Sequence, residues 1–299
     1  MDSVVDSVVD SVVDSVVVGV DGSTHGAAAL EWAFREANLR GCELTATMTW
    51  DYLNQVRADG SSLFDPDYDE AAAQKVLDGV VASVLGEAAA GSVRRHVVLD
   101  QPVRGLIEES SQASLLVLGA RGLGGFKGLL LGSVSQRCLR QATTSVAIIR
   151  ATARTTTEHS RIVVGVDGSL HADAALRWAA REAALRRAAL RIVHASQPTY
   201  IDLPLLDSMT VGEWAHQQAT EVIDDAIARA GIEASTPMQR VCATGSPARA
   251  LLDACEDSDL LVVGRAGLGG VRRLIGSVAV QLSHHAPVPA VFVSADDAR

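Results

Sequence analysis

The sequence predicts an α/β fold in which one doubly wound parallel sandwich is made twice. Three observations predict it. First, the chain restates itself: Ile162-Val163-Val164-Gly165-Val166-Asp167-Gly168-Ser169 repeats Val16-Val17-Val18-Gly19-Val20-Asp21-Gly22-Ser23 at an offset of 146. The match runs on, with Ala28-Ala29-Leu30, Trp32-Ala33, Arg35-Glu36-Ala37 and Leu39-Arg40 recurring as Ala174-Ala175-Leu176, Trp178-Ala179, Arg181-Glu182-Ala183 and Leu185-Arg186. Second, each copy alternates strand-like apolar runs with helical patterns, the rhythm of right-handed βαβ units. Third, 299 residues are too many for one average domain and suit two of about 150.

Taken in order, Val16–Val20 is a β-branched run suited to a strand buried on both faces. Asp21-Gly22-Ser23 turns the chain, and Ser23 is placed to cap a helix whose apolar face carries Leu30, Ala33 and Ala37 beside Ala29. A second strand is expected at Leu44–Thr49, then a polar loop to about Tyr68 and a long Ala-rich helix to about Gly91. Val97–Leu99 and Leu115–Leu118 read as the third and fourth strands, with a helix over Pro102–Ala113 between them. A glycine-rich loop, a helix from Ser133 and a last strand at Val146–Ile149 complete the copy. The reading divides the chain into a tail at 1–15, a first domain at 16–150, a Thr-rich linker at 151–160 and a second domain at 161–296. The tail is Asp-Ser-Val-Val four times over, and only its last copy merges into a strand. A period of four fits neither strand nor helix, so a frayed end is expected.

Composition narrows the function. Net charge is −10, and −6 without the four acids of the tail repeats, with pI near 5.2, which argues against a nucleic-acid backbone as partner. No apolar run approaches the roughly 18 residues of a membrane span. The start carries acid where a secretory signal carries Lys or Arg, so a cytoplasmic location is expected. Cys42, Cys138, Cys242 and Cys255 form no Cys-x-x-Cys pair and read as scattered reduced thiols.

The chemical signal is the loop after the fourth strand. Gly119-Ala120-Arg121-Gly122 is followed, nine residues on, by Gly132-Ser133 at the start of a helix; Gly264, Gly267 and Gly276-Ser277 restate it. Glycines let main-chain N–H groups approach a ligand, and a helix start offers amides and positive dipole character to phosphate. Ligands of open α/β sheets sit beyond the strand ends where the winding reverses, which would set Asp21 and the glycine loop on opposite sides of one nucleotide. Strand–loop–helix connections also use glycine for packing alone. Loop length, its recurrence and the Gly-Ser ending of both copies favour a ligand. No Gly-Lys-Ser/Thr closes the loop, so it is not a P-loop, and it follows the wrong strand for a dinucleotide fingerprint.

On these residues, together with Val-Val-Gly-Val-Asp-Gly-Ser, Ala-Leu-x-Trp-Ala and Leu-Leu-Val-Leu-Gly, the chain resembles the tandem members of the universal stress protein family, of the ATP-binding type. The resemblance runs from Val16 to about Ser294. It implies a five-stranded sheet of order 3-2-1-4-5 in each half, pairing through the last strands within the chain or in a homo-oligomer, and ATP as ligand with Mg2+ held by its phosphates. Carried over by position, it implies that Asp21, after Gly19, meets the nucleoside and that the Thr49 backbone lies near adenine. Gly119, Arg121, Gly122, Gly132, Ser133, Val134 and Ser135 would hold ribose and phosphates. In the second half these roles fall on Gly165, Asp167, Ala195, Gly264, Gly267, Gly276, Ser277 and Val278.

Two departures favour the first half as the better site. Eight residues, not nine, separate Gly267 from Gly276, which is expected to re-aim Gly276 and Ser277, and Ala279 replaces Ser135. Arg272 and Arg273 offer compensating charge to phosphate. Met48-Thr49 in place of His194-Ala195 makes adenine packing in the first half atypical. His25 and His171 read as surface residues, Trp32 and Trp178 as helix packing, and Asp51–Tyr68 and Gln197–Thr210 as lids or plain surface loops. Each half has one Asp near the crevice, without the second carboxylate that phosphoryl transfer expects. The leading reading is therefore an ATP-binding, nucleotide-responsive regulator in stress adaptation with at most weak hydrolysis. A slow ATPase or nucleotidyl-transfer enzyme and a ligand-free interaction scaffold remain the alternatives.

Overall fold

Val16, Val17 and Val18 are all buried in β1 (Ser15–Gly19), as a strand covered on both faces requires. The computed structural model describes residues 14–51, 55, 65, 67–123, 130–153, 159–196, 208–233, 235–268 and 275–295, apart from the side chains of 208–212 and 214. The tail through residue 13, Lys127, linker residues 154–158, Arg272, Arg273 and most of both candidate lids lie outside this set.

The first half continues through α1 (Thr24–Arg40), β2 (Glu43–Trp50), α2 (Glu70–Leu85), α3 (Glu87–Ala90), β3 (Arg94–Leu99), α4 (Pro102–Glu109), β4 (Leu115–Gly119), α5 (Ser133–Gln141) and β5 (Ser145–Ile149). The second comprises β6 (Arg161–Gly165), α6 (Leu170–Arg186), β7 (Ala189–Ser196), α7 (Ser208–Ala230), β8 (Met238–Thr244), α8 (Pro247–Ala254), β9 (Leu260–Gly264), α9 (Ser277–His285) and β10 (Ala290–Val293). The expected Ala-rich helix stops short of Gly91, because Gly86 (φ 78°) turns the chain after Leu85. Likewise α4 stops before Ala113, where the Ser110 hydroxyl bonds back to the Leu106 carbonyl (2.7 Å).

The strands form one ten-stranded sheet of order β3-β2-β1-β4-β5-β10-β9-β6-β7-β8. Each half thus has the order 3-2-1-4-5, parallel throughout. The halves meet through their last strands, β5 and β10, paired antiparallel with Ala147 opposite Val291. Two cores flank the sheet. One holds Val16, Val18, Leu30, Met48 and Leu77 with Ile162, Val164, Leu176 and Ile223 of the second half, under α1, α2, α6 and α7. The other holds Val17, Leu116, Leu139 and Phe292, under α4, α5, α8 and α9. Trp32 and Trp178 pack into the first core, as their helical spacing predicts.

A polar cluster joins α1 to α6. Arg40 Nε donates to Glu36 (2.6 Å) and its Nη2 to Glu182 (2.8 Å); Arg186 Nε donates to Glu182 (2.5 Å) and its Nη2 to Glu36. Both carboxylates are 1% exposed, so four charges close a ring away from water. Burial and then the Glu182 carboxylate push Glu36 up to about 7, against the pull of the two guanidinia. Each Glu–Arg pair stands at i,i+4 spacing on its own helix. The partner that buries it is the same helix of the other half.

Candidate functional site

Each site begins at the turn after the first strand. Ser23 caps α1 by accepting from Gly26 N–H (3.0 Å), and its hydroxyl donates to the Arg121 carbonyl in the glycine loop (3.1 Å). Asp21 accepts from Ser23 N–H (3.0 Å) and Leu123 N–H (3.2 Å), and Asp167 repeats this with Ser169 N–H (3.0 Å) and Leu268 N–H (3.2 Å). The aspartates therefore hold the start of the glycine loop directly.

The glycines divide by what surrounds them. A Cβ on Gly119 or Gly264 would lie 2.6 Å from His25 or 2.7 Å from His171 backbone, and one on Gly122 or Gly267 would lie 2.4 or 2.5 Å from the aspartate carboxylate. These four are glycines because the site's own parts approach them. Gly132 and Gly276 are different: a Cβ there meets nothing nearer than 3.4 and 3.6 Å, and φ is −76° and −68°. They are the N-cap residues of α5 and α9, and among the described residues no side chain caps either helix, whereas Ser23, Ser169 and Ser246 cap α1, α6 and α8.

Gly132 N–H donates to the Ala120 carbonyl (2.7 Å) and Gly276 N–H to the Arg265 carbonyl (2.9 Å). The eight-residue loop thus leaves Gly276 and Ser277 on the same anchor as its nine-residue twin, contrary to the expected re-aiming. Ser133 and Ser277 are both exposed. Val134 and Val278 are half-buried against the second core. Ser135 turns away from the mouth, donating to the Gly119 carbonyl (2.6 Å), and Ala279 takes its place without that bond. Arg121 also turns aside: its Nε donates to His25 Nε2 (3.2 Å). Burial, then the Arg121 and Arg150 guanidinia, lower the pKa of half-buried His25 from its ordinary value.

A cavity of about 520 Å3 opens in the second half. Its apolar end is made by Val166, Val193, Ala195, Pro247 and Leu251; its polar end by Gly264, Gly267, Gly276, Ser277 and Val278, with Gly165 and Asp167 alongside. The first half differs at the end of its second strand. There, Thr49 is 7% exposed, and its Cγ2 lies 2.9 Å from where a Cβ on Gly105 of α4 would stand, so the threonine methyl fills the groove that this glycine leaves. Ala195 has no such atoms, is half-exposed and borders the cavity. Gly19 is closed in by Leu118 and Leu106. Among the described residues no group of three or more His, Cys, Asp or Glu is arranged for a metal, and no helix is long and apolar enough to cross a membrane.

A doubly wound α/β protein with a glycine loop and an uncapped helix start in each half is the class that fold and site define. The model of the universal stress protein family matches residues 13–150 and again 158–294. Universal stress protein Rv2005c of Mycobacterium tuberculosis is 33% identical over 291 residues, 92% of this chain and 95% of the relative. Universal stress protein Rv2623 of the same organism is 31% identical over 288 residues, 92% and 94%. The crystal structure of a universal stress protein from Archaeoglobus fulgidus superposes with a TM-score of 0.64 at 21% identity, covering 95% of this chain and 99% of that one. The chain belongs to the universal stress protein family, in tandem form.

Proposed function

We propose that this chain binds ATP and acts as a nucleotide-responsive regulator in stress adaptation, with the second half as its better-built site. The observation that carries the reading is the cavity of about 520 Å3 that runs from an apolar wall to the uncapped start of α9. That volume lies within the ~300–1,000 Å3 of small-molecule sites. Main-chain amides at Ser277, Val278 and Ala279 would hold phosphate oxygens, helped by the helix dipole and the exposed Ser277 hydroxyl. Val166, Val193, Ala195 and Leu251 would flank the base, and Asp167 would keep the loop start in register. Mg2+ carried by the phosphates would neutralise part of their charge. Binding acts as a signal to the extent that ATP prefers one arrangement of the glycine loop over others. The first half keeps the same anion end at Gly132 and Ser133, with a base end narrowed by Thr49.

The test is to denature freshly purified protein and chromatograph the supernatant for nucleotides. ATP in the supernatant, with a melting temperature that rises on adding ATP and magnesium, is the expected result. No nucleotide and no shift would overturn the reading in favour of a ligand-free scaffold.

A further inference from the structure

Two arginines cross the seam between the halves, and the repeat does not relate them. Arg265 follows β9, where the first half has Ala120. Its main chain anchors the second glycine loop: its N–H donates to the Val293 carbonyl (3.0 Å), and its carbonyl accepts from Gly276 N–H (2.9 Å). Its side chain is buried (9% exposed) and reaches the other half, donating to the Ala142 carbonyl and, at 2.6 Å, to the Thr144 carbonyl just past α5. Arg150, after β5, reaches the opposite way and donates to the Ser283 (2.9 Å) and His284 carbonyls in the last turn of α9. In the first half the anchoring backbone belongs to Ala120, whose N–H donates to Ile149 (2.7 Å) and which has no arm across the seam.

We propose that Arg265 is a positioning residue for the second-half site: through it, the end of α5 fixes the carbonyl on which Gly276 and the start of α9 hang. A buried guanidinium must have its donors satisfied, and helix-end carbonyls carry the partial negative charge that suits it. A rigid planar fork held on two carbonyls restricts the side chain, and so narrows the placements open to the main chain beneath it. Arg150 makes the same kind of bond across the same seam, but its backbone anchors no loop glycine. It is the natural control.

The inference rests on the reading of Gly276 as an anion site only for its functional consequence, so the experiment has two readouts. Hydrogen–deuterium exchange is measured on the full ligand-free chain in wild type, Arg265→Met, Arg265→Lys and Arg150→Met, with ATP affinity measured alongside. The amides of residues 266–268 and 275–279 are expected to exchange about tenfold faster in Arg265→Met, less so in Arg265→Lys, and at the wild-type rate in Arg150→Met. ATP affinity is expected to fall about tenfold in Arg265→Met and to hold in Arg150→Met. Equal exchange in Arg265→Met and Arg150→Met would overturn the proposal, whatever the affinities. If Arg265→Met does not fold, Arg265→Lys against Arg150→Met carries the same comparison. A wild-type chain that binds no ATP but shows the expected exchange pattern would sink the nucleotide reading and leave the positioning role standing.

Discussion

Thr49 and Ala195 occupy the same place in the two halves, at the end of the second strand, and do opposite things: one is packed into α4 and buried, the other borders a cavity. The same holds for Ser135, bonded to the strand end, against Ala279, which lines the cavity. It holds again for Ala120 against Arg265, which reaches across the seam. The strand order and the Asp-to-loop bonds are alike in both copies. Side chains at the strand ends and the seam have therefore diverged on a backbone plan that has not. A duplicated domain need not contain a duplicated site.

The ring of Glu36, Arg40, Glu182 and Arg186 is where the halves stay equal, and breaking it should give the largest effect. Glu36→Ala leaves two buried guanidinia sharing the one carboxylate of Glu182 and is expected to cost about 3–5 kcal/mol, with Glu182→Ala costing the same, by denaturant unfolding. Unequal losses would break the symmetry. The pH dependence follows from the raised Glu36 pKa. Between its ordinary value near 4.5 and about 7, the folded chain holds a proton that the unfolded chain has released. This group's contribution to stability is full below about 4.5 and is lost as pH rises through about 7. Glu36→Gln should remove that slope, which unfolding at a series of pH values would measure.

The helix ends sharpen the contrast at smaller scale. Gly41 closes α1 in the left-handed region (φ 64°), while Arg187 closes α6 there (φ 52°) with a Cβ to accommodate. Arg187→Gly is expected to gain about 0.5–1 kcal/mol, and Gly41→Arg to lose about 1–2 kcal/mol, in thermal unfolding.

What was legible in the sequence is what local physics decides. β-branched runs gave the strands, Ser23 the cap of α1, and the repeat offset the two-fold plan. Element ends depended on single residues such as Gly86 and Ser110, whose turn chemistry a helical period does not display. At the site, the loop and its anchoring glycines were visible, but their reasons were not. Gly122 is small because of Asp21, and Arg121 is taken by His25. The Glu–Arg ring and the seam arginines were illegible because their partners lie some 120 to 150 residues away, on elements that only the assembled sheet brings close.

The account stands on the uncapped start of α9 as an anion cradle, and Gly276→Asp tests it without confounding fold and function. An aspartate there has room, sits in extended N-cap backbone and caps the helix, while its charge repels phosphate. Thermal melting of wild type, Gly132→Asp and Gly276→Asp, each with and without ATP and magnesium, is the direct measurement. The account predicts that Gly276→Asp is the more stable chain without ligand, by roughly 0.3 kcal/mol, and has lost most of the wild-type rise with ATP, while Gly132→Asp retains most of it. A Gly276→Asp chain that ATP stabilises as much as wild type would contradict it.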